Sequence, residues 1–362
     1  MPFNGITNLR DAKETVKLKP EQLAEIKKCA QDPLYFMNNY MYINTKDNGM
    51  QLFKTWPFQE AAVKRFLKYR FNINKWSRQV GKSTIVRGFI LWYAMFHGDQ
   101  LIAMLANKLA LAKEQLQLLR DSYIALPFWL QPGVKLWNKM SIQFSNNTRI
   151  MAAPSTVDGI RGFSPNLLYL DEFAFLRAGL AEEFWTSNFP SISSGKKTRV
   201  IITSTPNGMN LFYNLWEGAV DENTASFHDL MSKFVKSTVK WNEVPGRDAQ
   251  WGIDEMARIG EQRFRQEYEC EFVGSAVTLI DYKMLQKLKS SPPLPMACVP
   301  TGYQMRMFQK PLPLQKLEVN GWVYIAAIDT GYGIRKDYHV LHILLAKSNV
   351  ELEEVFDRYL VR

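Results

Sequence analysis

The octapeptide Ser77-Arg78-Gln79-Val80-Gly81-Lys82-Ser83-Thr84 leads without a break into the helical run Ile85 to Phe96. A Gly-Lys-hydroxyl sequence at a helix start supplies the parts of a phosphate loop. Backbone N–H groups surround the phosphates, the lysine balances β- and γ-phosphate charge, and the following hydroxyl holds Mg²⁺. Lys82 and Ser83 fit the last two roles. One position departs from the usual pattern: Trp76 stands where GxxxxGK[ST] has its first glycine. A bare Gly-Lys-Ser also occurs at ordinary loop-to-helix junctions, so the loop needs a second element to support it.

That element is Leu167-Leu168-Tyr169-Leu170-Asp171-Glu172, an apolar strand ending in two carboxylates. In a Walker B arrangement the strand end delivers Asp171 to the Mg²⁺ shell, while Glu172 orients and deprotonates the attacking water. Without Lys82 upstream, two acids capping a turn would be the plainer reading. A third run, Val200-Ile201-Ile202, ends in Thr203-Ser204-Thr205-Pro206. P-loop ATPases place such a polar strand end between the two motifs, where it senses the γ-phosphate. A hydroxyl cluster before proline is also common turn chemistry.

Between Gln51 and Tyr324 short apolar strands alternate with amphipathic helices, which predicts an α/β fold with a mostly parallel sheet flanked by helices. Leu101–Leu105, Leu167–Leu170 and Val200–Thr203 read as strands buried on both faces. Leu109, Ala112, Leu116, Leu119 and Tyr123 share one face of a helix, and Ser141–Phe144 and Thr148–Met151 form a hairpin turning at Asn146-Asn147. A helical pattern from Lys19 runs into the aromatic stretch Tyr35 to Tyr42.

Composition bounds the partners without naming them. Forty-five Lys and Arg against 35 Asp and Glu give a net charge of +10, which invites an anionic partner. A 46% hydrophobic content fills cores and excludes general disorder. The longest strongly apolar run, Phe89 to Phe96, falls far short of the roughly 20 residues a membrane span needs, and the polar start has no signal-peptide core. Cys29, Cys270 and Cys298 are widely spaced and read as reduced bystanders in a cytosol.

Taken together, SRQVGKST (Ser77 to Thr84), LLYLDEFAF (Leu167 to Phe175), IITSTPNG (Ile201 to Gly208), DGIRG (Asp158 to Gly162) and LQPGV (Leu130 to Val134) resemble the large terminase subunit of tailed bacteriophages, closest to the T-even-like group. That family tolerates a non-glycine first position and an arginine inside the loop. The resemblance implies an ATP-hydrolysing motor that moves double-stranded DNA into a prohead through a portal protein. It also implies a small terminase subunit and a homo-oligomeric ring as partners, a place in the host cytoplasm, transiently docked on the prohead and absent from the mature virion, and no membrane association. ATP and Mg²⁺ are the expected cofactors, with Mg²⁺ or Mn²⁺ at a nuclease site.

Carried over by motif, Ser77 to Thr84 bind ATP, Ser83 and Asp171 hold Mg²⁺, Glu172 is the catalytic carboxylate, and Thr203, Ser204 and Thr205 form the coupling motif. Gln59 sits where the family reads adenine, with Gln51 as a second contact. Arg78 is placed to act in cis on the γ-phosphate, and Arg161 in trans on a neighbouring subunit. The expected organisation is an N-terminal helical element over 1–50, an ATPase core over 51–225 and a lid or transmission subdomain over 226–290, where parallel-strand runs are lacking. A Pro-rich linker follows over 291–320, then the start of an RNase H-like nuclease over 321–362. Asp329, ending the strand Tyr324 to Ile328, matches the family's first nuclease acid, and Asp337 a nearby one. Glu353 and Glu354 read as an exposed strand edge, so no two-metal cleavage is expected from this polypeptide alone.

Two other readings suit the same motifs: a helicase-like or remodelling ATPase, and a truncated, non-catalytic DNA- or portal-binding remnant. The basic residues Lys64, Arg65, Lys68 and Arg70, and Lys233, Lys236 and Lys240, read as solvated faces rather than assigned DNA contacts.

Overall fold

The computed structural model describes residues 3–272 except 46, 157–158, 161 and 178. Beyond these it describes 297–300, 304–307, 312–313, 317, 320–329, 339–346 and 352–360. The chain divides into two units, Met1–Leu279 and Ile280–Arg362.

The first unit opens with two helices, α1 (Pro20–Gln31) and α2 (Pro33–Tyr40), where the sequence pattern suggested one continuous run. Pro33 explains the break, because a proline pushes the preceding residue out of the helical region. Asp32 is extended, and its side chain accepts a hydrogen bond from Leu34 N–H, capping α2. A hairpin of β1 (Tyr42–Thr45) and β2 (Gly49–Leu52) follows, then α3 (Pro57–Lys68), β3 (Phe71–Trp76) and α4 (Lys82–Phe96).

Next come β4 (Leu101–Ala106), α5 (Leu109–Ile124), β5 (Val134–Trp137), β6 (Ser141–Phe144), β7 (Arg149–Pro154) and β8 (Leu167–Asp171). The unit continues through α6 (Leu180–Ser193), β9 (Arg199–Ser204), α7 (Leu211–Glu217), α8 (Phe227–Ser232), β10 (Val235–Val239), α9 (Ala249–Ile259) and α10 (Glu261–Glu267).

Eight strands form one sheet in the order β10-β3-β9-β8-β4-β7-β6-β5. From β10 to β7 every pairing is parallel; β6 and β5 are added antiparallel. Every residue of β8 is buried, as its continuous apolar run requires of a strand covered on both faces. The parallel arrangement was legible in the sequence, but β10 was not. It is an edge strand whose alternating burial breaks the apolar run that marks a central strand, so the segment after Ala225 contributes a parallel strand that its composition does not announce. Arg65 and Arg70 are likewise not solvated: Arg65 donates to Ser237 Oγ at 2.7 Å, and Arg70 to the carbonyls of Thr198 and Gly195.

At the opposite edge the N-terminal arm adds a further rung. Val134 N–H donates to Arg10 O at 2.9 Å and Ala12 N–H to Val134 O at 3.1 Å. The LQPGV segment serves this contact. A Cβ on Gly133 would lie 2.5 Å from Ala12 Cα, so only glycine lets the arm approach. The amide of Gln131 bonds both Arg10 N and Asn8 O.

The second unit carries a five-stranded sheet, order β11-β12-β15-β14-β13, from β11 (Ala297–Pro300), β12 (Gln304–Met307), β13 (Val323–Asp329), β14 (His339–Ala346) and β15 (Leu352–Leu360). One expectation changes here. The segment expected as a linker contains two strands: the proline-free Gln304–Met307 pairs on both sides, and Pro300 sits at the end of the edge strand, where its missing N–H is tolerated. Glu353 and Glu354 lie on β15 opposite Leu345 and Leu344 of β14, whereas β12 pairs with the later stretch Phe356 to Tyr359.

Candidate functional site

Three neighbouring parallel strands, β3, β9 and β8, end together, and the motif residues cluster at their carboxyl ends, where open α/β sheets bind ligands. The strand carrying Thr203 runs between the one that leads into the phosphate loop and the one that ends in Asp171. That is the position expected for a strand linking the two motifs.

The loop bends through two left-handed residues, Gln79 at φ 57° and Gly81 at φ 71°. Gly81 caps α4, and its carbonyl accepts from Ile85 N–H at 3.0 Å. A Cβ on Gly81 would lie 2.6 Å from Gln59 Nε2, so the glycine is required by both its backbone angle and its neighbour. Trp76, at the position usually held by the first glycine, is the last residue of β3 and buried. Its indole donates to Ser237 Oγ at 3.0 Å and packs edge-on against Phe58. The turn begins after it, so no glycine is needed there.

Lys82 is 7% exposed, and its Nζ lies 2.8 Å from Glu172 Oε1. Ser83 Oγ donates to Asp171 Oδ2 at 3.0 Å, while Thr203 Oγ1 donates to Asp171 Oδ1 at 2.8 Å. Successive side chains on a strand point to opposite faces, which would separate Asp171 from Glu172. Glu172 instead adopts φ 50°, a left-handed turn that brings both carboxylates to the first turn of α4. For a residue with a side chain that backbone costs roughly 1–2 kcal/mol, and such strain concentrates at functional sites.

Among the described residues no group of three or more His, Cys, Asp or Glu could hold a metal by itself. Ser83 Oγ and Asp171 are hard oxygen donors, beside the buried Glu172 Oε2, which lacks a hydrogen-bond partner. They fit a Mg²⁺ ion that takes its remaining ligands from phosphate and water.

Beside the loop a cleft of about 350 Å³ is lined by Ile43, Gln51, Phe53, Trp56, Gln59, Gly81 and Thr84, among others. Both glutamines picked out in the sequence meet here. Gln59 is 1% exposed, accepts from Trp56 N–H at 3.0 Å and donates to Val80 O at 3.1 Å, so its amide braces the loop as well as facing the cleft.

Among the other expected residues, Ser77, Val80, Ser204 and Thr205 are buried. Ser204 Oγ accepts from Ala174 N–H at 3.1 Å, tying the coupling strand to the turn after Glu172. Arg78 pairs with Glu267, its Nε 3.8 Å from Oε2, and its side chain is largely exposed. Asp158, Arg161 and Asp337 lie outside the described residues. Asp329 ends β13, opposite Val340.

Sequence reading missed Tyr169 and Arg87. Tyr169 is buried inside the sheet with its hydroxyl 3.1 Å from Thr203 Oγ1. Burial, with Asp171 nearby, pushes its pKa well above the usual range for a phenol. Arg87, buried on α4, donates to Thr84 Oγ1 at 3.2 Å. Both looked like interior helix or strand positions, and only tertiary contact reveals their partners.

The fold and this cluster define a P-loop nucleoside-triphosphatase architecture. A family profile described as terminase large subunit, T4likevirus-type, N-terminal, matches residues 75–287, and the chain belongs to that family. It is 28% identical over 125 residues to terminase large subunits of Thermus phage G20c and Thermus virus P23-45; each match covers 32% of this chain and 24% of the relative. The matched part is thus about a quarter of those proteins. The crystal structure of the HK97 bacteriophage large terminase superposes with a TM-score of 0.54 at 14% identity, covering 90% of this chain and 67% of that one, a likeness of fold.

Proposed function

We propose that the chain is the ATP-hydrolysing motor subunit of a viral DNA-packaging terminase. The contact of Lys82 with Glu172, beside that of Ser83 with Asp171, carries the reading. It joins a phosphate-binding cation, a metal-binding hydroxyl–carboxylate pair and a general base in one place.

In this reading ATP enters with its base in the cleft by Gln59 and Gln51 and its phosphates over the N–H groups at the start of α4, where the helix dipole favours anions. Lys82 transfers from Glu172 to the β- and γ-phosphates. Glu172, released, accepts the proton of the attacking water. Asp171 and Ser83 would hold Mg²⁺, which when bound neutralises phosphate charge. Thr203, bonded to Asp171 and sharing β9 with Ser204, carries the change at the γ-phosphate toward the turn at Pro206. Arg78 in cis and Arg161 in trans remain the candidate cations for the transition state.

Family membership supports double-stranded DNA, a portal protein, a small terminase subunit and further copies of the chain in a ring as partners, at a prohead in the host cytoplasm. Among the described residues no helix is long and apolar enough to cross a membrane. The antiparallel run β13-β14-β15, with Asp329 at the end of β13, supports reading the second unit as RNase H-like, with Mg²⁺ or Mn²⁺ as its metal.

The test is ATP-driven displacement of a triplex-forming strand from duplex DNA by the chain assembled with portal. Displacement without unwinding of a forked duplex supports a packaging motor. Unwinding of the fork points to a helicase-like ATPase, and ATP-independent DNA binding alone to a non-catalytic protein.

A further inference from the structure

The phosphate loop is gripped on its outer side by the end of β10 and the segment that follows it. Ser77 N–H donates to Val239 O at 2.8 Å, and Arg78 N–H to Glu267 O at 2.9 Å. The guanidinium of Arg247 donates to two successive loop carbonyls, Arg78 O at 3.3 Å and Gln79 O at 3.2 Å. Its Cζ lies over Trp251, 4.4 Å from the ring centre, with Tyr268 at 6.0 Å from the same cation. Trp251 stacks in turn on Trp241 at 5.4 Å.

In a phosphate loop the N–H groups converge on the ligand while the carbonyls turn outward, so a cation forked across the outward carbonyls fixes the concave side. It braces Gln79 in the left-handed conformation the loop requires. A planar fork makes both bonds at once; a lysine ammonium, a single point charge on a flexible stem, does not reproduce that geometry. Resting on the nucleotide-site reading above, we infer that Arg247 is a positioning residue for ATP binding. It clamps the phosphate loop from behind and ties the loop to the α9–α10 segment.

The prediction concerns binding rather than chemistry, because Arg247 faces loop carbonyls and not the Lys82–Glu172 pair. Arg247→Ala is expected to raise KM for ATP about tenfold, with kcat within about threefold of wild type. Arg247→Lys, which keeps the charge and loses the fork, is expected to fall between the two. Amide exchange at residues 78–81 should accelerate in both variants while exchange in β8 stays unchanged, a readout that does not pass through activity. If Arg247→Ala fails to fold, Arg247→Lys decides alone. Wild-type KM and wild-type exchange in Arg247→Lys would overturn the clamp, as would a loss of kcat at constant KM. A wild-type chain that binds no ATP would overturn the nucleotide-site reading and the clamp with it, and is told apart because it fails before any variant is compared.

Discussion

Lys82 and Glu172 neutralise each other across the site, Nζ to Oε1 at 2.8 Å, with the lysine almost wholly buried. The contact sets the state of the site before nucleotide arrives. In the proposed mechanism the cation that meets the phosphates holds the carboxylate that later takes a proton. Removing the lysine therefore acts on binding first. Lys82→Ala should weaken ATP binding at least tenfold, since a charge-assisted contact to phosphate is lost and an unpaired carboxylate faces the incoming anion. Titration with a fluorescent ATP analogue checks it, and unchanged affinity would count against the assigned role of Lys82.

Asp171 is oriented by a chain of hydroxyls, Tyr169 to Thr203 to Asp171. Groups that orient a metal-binding carboxylate typically affect metal affinity about 10–100-fold. Thr203→Val should accordingly raise the Mg²⁺ concentration for half-maximal ATPase about tenfold, and Tyr169→Phe by less, because Thr203 keeps its own bond to Asp171. Equal Mg²⁺ dependence in all three proteins would show the chain to be structural only.

Gly81 and Gln59 restrict one another. Gly81→Ala places a Cβ against Gln59 Nε2 and also strains a left-handed backbone, so ATP binding should fall and the loop destabilise by about 1 kcal/mol or more. Adding Gln59→Ala relieves the clash but not the strain. Melting temperatures of the two single variants and the double variant should show less than additive loss. Full additivity would mean the contact does not limit the loop.

The N-terminal element carries a pH signature. Glu25 accepts hydrogen bonds from Lys28, Tyr35 and Tyr40, which lower its pKa from 4.5 to about 2. The charged form is the bonded one in the folded state, so this contribution is present above pH 4.5 and is lost as pH falls toward 2. Between those limits Glu25→Gln should flatten the decline of Tm with acidity, and the wild-type and variant curves should run parallel above it. Parallel curves throughout would contradict the pairing.

The phosphate loop and the strand ending in Asp171-Glu172 were legible because each is a short, contiguous string whose chemistry depends on local order. What joins them was not. Trp56, Tyr169 and Arg247 reach the site through sheet order and chain return, which leave no periodic trace. β10 was hidden because an edge strand needs only half its residues apolar. Arg65 and Arg70 read as solvated charge, since nothing in a basic stretch reveals that its guanidinium groups end on a buried serine and on backbone carbonyls.

The most direct test of the central claim is the pair of measurements on Glu172→Gln: ATP affinity and ATP turnover in the same preparation. Glutamine removes the charge opposing the phosphates and releases Lys82, yet cannot accept the proton of the attacking water. ATP should bind at least as tightly as in wild type while hydrolysis falls by about 10²–10⁴-fold. Hydrolysis within tenfold of wild type would contradict the account.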